Sequence, residues 1–335
     1  MRSCARSELT MPFWIPPRFW SYLRTARSSV TYVGRVWGLA LSLGLLSPPL
    51  QAADWNVLRS KHGEVFFSPS RREVAREVAE VLDREYERVG RGVGYEGKAL
   101  VRVFLAPSQE EFDRITRGRI PDWGKGCAFP AYGVVVLRPL EDNPAGLRQT
   151  LAHEVTHVLL HRATGGMPIP RWFDEGVAMW YALEWGKTHS FRLGIATLLG
   201  KLIPLEEIEG VLSFGSGRAE LAYAESFSAV IFLLRRYGGD SVRRIAGLMR
   251  EGTSFEEAME RATGVPYGTF LEEWRKHVRA RYHPLVVLTE GPYFWIGITA
   301  LFMFVYWVKR RRAKKIEQEW EEEEQDTPDE PFLSA

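Results

Sequence analysis

Residues 147–162, LRQTLAHEVTHVLLHR, predict a helix with one apolar face and one polar face. Four apolar residues recur at the three- and four-residue spacing of a single helical stripe: Leu151, Val155, Val158 and Leu159. Such a stripe packs against the core of a globular protein. His153, Glu154 and His157 lie to one side of it, so the same helix presents a polar surface that can carry chemistry.

The polar face has the spacing of a zinc site. His153 and His157 are four residues apart, which on a helix places the two imidazoles about 6 Å from each other, and both can reach one ion at about 2.1 Å. Glu154 lies one position round the helix, beside the ion rather than on it. From there its carboxylate can take a proton from water activated by the ion. The pattern predicts Zn²⁺ as cofactor and Glu154 as general base.

A catalytic zinc ion needs a third protein ligand and one open position. His161 lies on the same helical face, but it is about 12 Å along the axis from His153, and one ion cannot bridge that distance on a straight helix. A pattern with Gly three and His six residues after the second ligand also fails, because those positions are Leu160 and Ala163. We therefore interpret His161 as a surface or outer-sphere histidine.

Glu175 is the predicted third ligand. Glycines at 165 and 166 end the first helix, and residues 171–185, RWFDEGVAMWYALEW, predict a second one with Glu175 in its first turn. A glutamate there is often only a partner of the helix dipole. The flanking apolar residues bury this turn, which makes an unpaired charge costly and a metal-bound one favourable. Asp174 is predicted either to orient a ligand or to cap the helix.

Three motifs together resemble the gluzincin metallopeptidases, most closely the peptidase MA-like family. They are LAHEVTH at 151–157, PRWFDEGVA at 170–178 and AYAESF at 222–227, and the resemblance covers residues from about 145 to 282. It implies zinc held by His153, His157 and Glu175, with Glu154 activating water to hydrolyse a peptide bond. It also implies a zincin fold, in which the edge strand of an irregular sheet lies along the substrate; residues 126–138 fit that strand.

Tyr223, in the third motif, is a candidate for the donor that stabilises the oxyanion opposite the base. An ordinary buried aromatic in the run 221–234 is an equally good interpretation. Two alternatives to a peptidase stay open: a non-catalytic, membrane-tethered binding domain with a structural metal, and metal-assisted hydrolysis of a non-peptide substrate. The retained Glu154 favours an enzyme, because a purely structural site has no need of a carboxylate between its histidines.

The predicted fold class is α+β and zincin-like. Residues 54–145 supply a small mixed sheet with helices, including a helix over 70–90 and a strand over 98–105, and residues 146–283 supply the active-site helix and a helical subdomain. Hydrophobic residues make up 45% of the chain and charged residues 26%, as in ordinary globular proteins. Only Cys4 and Cys127 are cysteines, which excludes a disulfide framework; Cys127 is interpreted as a small buried residue rather than a ligand.

Both ends carry membrane signals. Scattered arginines precede an apolar run at 36–46, so residues 1–53 predict a signal peptide or N-terminal extension, with Met11 as an alternative start and an uncleaved anchor less favoured. Residues 286–308 predict a transmembrane helix, because 292–308 is uncharged and a basic cluster follows it. A buried core helix is the alternative interpretation of that segment. The tail, 309–335, is first basic and then acidic.

These signals predict a single-pass protein of the cell membrane, with the catalytic domain outside the cytoplasm and the C-terminal tail inside. The expected partners are a peptide or protein substrate and the membrane. The net charge is only +2, and we infer no binding of nucleic acid from it.

Overall fold

A mixed five-stranded sheet forms one layer of the computed structural model, which describes residues 55–118, 120–121, 124–139, 144–184, 187–282 and 292–325. The strands, in chain order, are β1 (Asn56–Arg59), β2 (Gly63–Phe67), β3 (Val101–Leu105), β4 (Gly126–Phe129) and β5 (Val134–Leu137). Their order in the sheet is β1-β2-β3-β5-β4. The predicted N-terminal segment 1–53 lies outside the described residues.

Strands β2, β3 and β5 are parallel, whereas β1 and β4 pair antiparallel with their neighbours. The interior strand β5, VVVL, is buried at every position, which explains its continuous apolar sequence. β4 is an edge strand and returns against β5 in the register Gly126↔Leu137 to Phe129↔Val134. A short turn with Gly133 in the left-handed conformation joins the two strands.

Helices make up most of the remaining described chain. They are α1 (Arg72–Val93), α2 (Gln109–Thr116), α3 (Pro144–Ala163), α4 (Arg171–Ala182), α5 (Lys187–Leu198), α6 (Ser216–Tyr237), α7 (Ser241–Arg250), α8 (Phe255–Thr263), α9 (Tyr267–Arg281) and α10 (Pro292–Gln325), with a 3-10 helix at Leu205–Ser213 between α5 and α6. The predicted helix over 70–90 corresponds to α1, and the predicted strand over 98–105 contains β3. The α+β class is thereby confirmed.

Helix α3 lies between the sheet and the helical part of the fold. It packs against α1 and α4 and against the edge strand β4. The four residues of its apolar stripe are completely buried: Leu151, Val155, Val158 and Leu159. The predicted apolar stripe is thus confirmed, but the polar side of the helix is not open to solvent, because Glu154 and His157 are each only 8% exposed.

The C-terminal helix α10 differs from the predicted transmembrane helix 286–308. It begins at Pro292 and continues through the basic residues to Gln325, and its uncharged part, 292–308, is only seventeen residues long. A spanning helix needs about 20 apolar residues. Within the described residues, no helix combines the length and apolar content needed to cross a lipid bilayer. Residues 286–291 of the predicted span lie outside the described residues.

Candidate metal and catalytic site

The three predicted metal ligands converge. One potential ligand atom from each of His153, His157 and Glu175 lies within 4.8 Å of the other two. Glu175 Oε2 is 3.3 Å from His153 Nε2 and 3.7 Å from His157 Nε2. Glu175 is in α4 and almost completely buried, so its carboxylate points toward the histidines rather than into solvent at a helix end.

Both histidines have a second carboxylate on the far side of the ring. His157 Nδ1 lies 2.7 Å from Asp174 Oδ1, and His153 Nδ1 lies 3.1 Å from Glu184 Oε1. Because an ionised carboxylate only accepts hydrogen bonds, each Nδ1 donates. Metal-binding histidines are commonly held in this way. Asp174 therefore orients a histidine, and Pro170 occupies the N-cap position. Burial would lower the pKa of both histidines, but the neighbouring carboxylates raise it, so each Nε2 must release its proton before it can bind a metal ion.

The sequence interpretation missed Glu184. Helix α4 ends at Ala182. The C-cap residue Leu183 has a left-handed backbone with φ of 56°, and the Glu184 N–H donates to Met179 O at 3.1 Å. This closing turn brings the Glu184 carboxylate back to His153. Leucine gives no signal for a left-handed turn, and the sequence predicted a helix that continues to residue 185.

Arg171 forms the remaining close contact of Glu175. Its Nη2 lies 2.7 Å from Glu175 Oε1. Burial alone would raise the pKa of Glu175, but the charges of Arg171 and of the two histidines hold that pKa well below its usual range. Glu175 is therefore ionised at neutral pH and offers a full negative charge to a cation.

Glu154 is buried beside the ligand cluster and faces the edge strand. Burial raises its pKa, an effect that the charges of His153 and His157 oppose. A Cβ placed on Gly126 would lie 2.9 Å from Glu154 Cγ and 3.0 Å from its Oε1. The backbone of β4 therefore passes directly over the Glu154 carboxyl, and only glycine leaves room for that contact.

Tyr223 projects from α6 near the same cluster. Burial raises the pKa of its phenol, and the charges of Glu175 and Glu154 raise it further, so the hydroxyl stays protonated and can donate a hydrogen bond. Its side chain also packs against the core, as the alternative interpretation requires. The role of oxyanion donor stays a prediction.

Close contact between α4 and α6 brings Tyr223 toward the ligands. A Cβ placed on Gly176 would lie 2.3 Å from Ser226 O and 2.6 Å from Val230 Cγ2. The glycine that follows Glu175 thus allows the backbone of α6 to pass against α4.

Neither His161 nor Cys127 belongs to the ligand cluster found among the described residues. Burial raises the pKa of the Cys127 thiol to about 12.

The donor set fits a zinc ion. Two imidazoles, whose Nδ1 atoms are hydrogen-bonded to Asp174 and Glu184, and one ionised carboxylate supply the nitrogen and oxygen donors that zinc prefers in catalytic sites.

Comparison with curated proteins gave no match. Residues 109–280, just over half of the 335-residue chain, match the sequence profile of the Peptidase MA superfamily. The chain therefore belongs to the Peptidase MA superfamily.

Proposed function

We propose that the chain is a zinc-dependent peptidase, in which His153, His157 and Glu175 hold the ion and Glu154 is the general base. One observation carries the proposal: Glu175 Oε2 lies within 3.7 Å of both Nε2 atoms. The buried carboxyl of Glu154, on the same helix as the two histidines, adds a general base. Hydrolysis needs this group, whereas a structural metal site does not.

A bound zinc ion supplies a Lewis acid and lowers the pKa of water in its site. Glu154 accepts a proton from the attacking water and later gives it to the leaving amine. Its raised pKa favours the first role, because a stronger base accepts the proton more readily. The protonated Tyr223 hydroxyl donates to the developing oxyanion, and Asp174 and Glu184 hold the histidine rings in place.

Peptides are the favoured substrate class because of the edge strand. β4 is at the end of the described sheet and lies next to Glu154. An extended peptide can pair with the free N–H and C=O groups of such an edge. This pairing would place a backbone carbonyl, rather than a side chain, near the catalytic carboxyl. The family to which the chain belongs supports the same substrate class.

We also propose that the chain is a single-pass protein of the cell membrane, with the catalytic domain outside the cytoplasm and residues 309–335 inside. The uncharged part of α10 is short for a span, so residues 286–291 of the sequence would have to extend it. Apolar side chains are exposed along the first part of α10, including Trp295, Phe302 and Trp307, and a basic cluster follows at 309–315. The expected result is recovery in the membrane fraction, with release by detergent but not by salt. Release by salt alone would contradict the proposal.

The test of the catalytic proposal compares the purified full-length chain with its Glu154→Gln variant. We expect both to bind one zinc ion and only the wild type to cleave a broad peptide library. Glu256→Gln, an exposed substitution on α8, is the matched control and should retain activity. If wild type and Glu154→Gln bind zinc equally and neither cleaves a peptide, the chain is a metal-containing binding domain or acts on another substrate.

A further inference from the structure

Arg171 is held at both its backbone and its side chain. Its N–H donates to Glu209 Oε1 at 2.8 Å, a bond from the 3-10 helix that fixes the start of α4. Its guanidinium then reaches one turn along α4 to Glu175 Oε1. Because Pro170 has no side chain that can cap the helix, Glu209 supplies the carboxylate that the exposed N–H groups of the first turn require.

The two oxygens of Glu175 have different partners. Oε1 is 2.7 Å from Arg171 Nη2, whereas Oε2 faces both His153 Nε2 and His157 Nε2. The carboxylate is almost completely buried, so its orientation is set by these contacts rather than by water. Without the guanidinium, Oε1 would lose this charge-assisted hydrogen bond and the carboxylate could rotate.

Helix stability does not explain an arginine at this position. Cations are disfavoured near a helix N-terminus, and an Arg that precedes a Glu by four residues is the weaker order of such a pair. The Nε atom of Arg171 is also buried without a hydrogen-bond partner in the described structure, which has a further cost. An unfavourable local placement with a well-defined contact indicates a role in the site.

We propose that Arg171 is a positioning residue that occupies Glu175 Oε1, so that the carboxylate offers Oε2 alone to the metal ion. The inference rests on the proposed zinc site. Offering one oxygen instead of two keeps the number of protein donor atoms at three, which is the number that leaves a catalytic zinc site open. Arg171 thereby acts on metal affinity and on coordination, through Glu175.

The experiment measures zinc dissociation constants of the full-length chain by competition with a chelator. Arg171→Gln should weaken zinc binding about 10–100-fold, the usual effect of losing an outer-sphere partner. Arg171→Lys keeps a cation near Oε1 and should restore much of the affinity. Arg192→Gln is the matched control: Arg192 is similarly exposed, also has a buried Nε without a partner, and forms an ion pair with Glu220.

The visible spectrum of the cobalt-substituted chain gives a second readout, because its intensity reports coordination number. We expect a changed absorption for Arg171→Gln relative to wild type, because the freed carboxylate is no longer held with Oε2 alone toward the ion. Wild-type zinc affinity and an unchanged spectrum in Arg171→Gln would overturn the inference. An equal loss of zinc affinity in Arg171→Lys and Arg171→Gln would also overturn it. If the wild type binds no zinc, the proposed function itself fails.

Discussion

Asp174 Oδ1 lies 2.7 Å from His157 Nδ1, while the next residue, Glu175, directs its carboxylate at Nε2 of the same ring. Two consecutive residues of α4 thus contact both sides of one histidine. The first turn of α4 can do this because Trp172 and Phe173 are fully buried beside it and fix its position in the core. Helix packing therefore sets the orientation of the candidate metal ligand.

Asp174→Asn is predicted to weaken zinc binding by about 10–100-fold. An asparagine can keep the hydrogen bond from His157 Nδ1, but the lost charge makes the imidazole a weaker donor to a cation. Zinc affinity measured by chelator competition tests this. The control is Asp240→Asn, which removes a surface ion pair with Arg244 and should leave zinc affinity unchanged. Equal affinities in the two variants would contradict the role assigned to Asp174.

Helical spacing was sufficient to predict the centre of the site. The stripe of α3 and the positions of His153 and His157 follow from local periodicity, and Glu175 from a motif on the next helix. The contact between Glu184 and His153 was not predictable, because it depends on a left-handed leucine and joins residues 31 positions apart. Arg171 and Glu175 have the i,i+4 spacing of neighbours on a helix, but this spacing does not reveal that Arg171 contacts Oε1 alone.

The sheet was predicted less completely than the helices. The family resemblance placed the edge strand within residues 126–138, but the order of strands, with β5 between β3 and β4, depends on pairing between distant segments. Strand register cannot be read from β5 itself, because it is apolar at every position. The position of Gly126 over Glu154 is a consequence of that register.

Gly126→Ala is predicted to reduce peptidase activity while zinc is still bound. The added Cβ would lie 2.9–3.2 Å from three atoms of the Glu154 side chain, so the carboxyl or β4 must move. A displacement of about 1 Å in a catalytic group can lower the rate by about 100-fold. The measurements are kcat and zinc content. Gly217→Ala, where an added Cβ meets no atom within 4 Å, should match wild type; normal kcat in both variants would sink the prediction.

Gly176→Ala should destabilise the whole domain. The new methyl group would meet the Ser226 carbonyl oxygen at 2.3 Å, and a backbone atom cannot rotate away as a side chain can. Forced separation of α4 and α6 is expected to lower the free energy of unfolding by about 1–3 kcal/mol or more. Thermal unfolding followed by circular dichroism tests this. Gly247→Ala, on the open side of α7, is the control and should not lower stability.

Glu225 provides a test of stability against pH away from the metal ligands. It is completely buried in α6, its Oε1 accepts a hydrogen bond from Ile203 N at 3.0 Å, and its Oε2 has no partner in the described structure. Burial is the main cause that raises the pKa of Glu225 to about 8, which means that the folded state retains its proton at neutral pH.

The folded state of wild type should therefore lose stability relative to Glu225→Gln as the pH rises. In the unfolded chain the carboxyl releases its proton near pH 4.5, whereas in the folded chain it does so near pH 8. The stabilising contribution of the bound proton is complete below the first value and is lost as the pH rises through the second, by up to about 5 kcal/mol. Glutamine keeps an acceptor for the Ile203 N–H and does not titrate.

Urea unfolding at pH 5 and pH 8 measures the difference in free energy of unfolding between wild type and Glu225→Gln. Glu220→Gln, at a half-exposed site on the same helix, is the control. A gap between wild type and Glu225→Gln that stays constant across this range would show that the buried carboxyl is ionised in the folded chain.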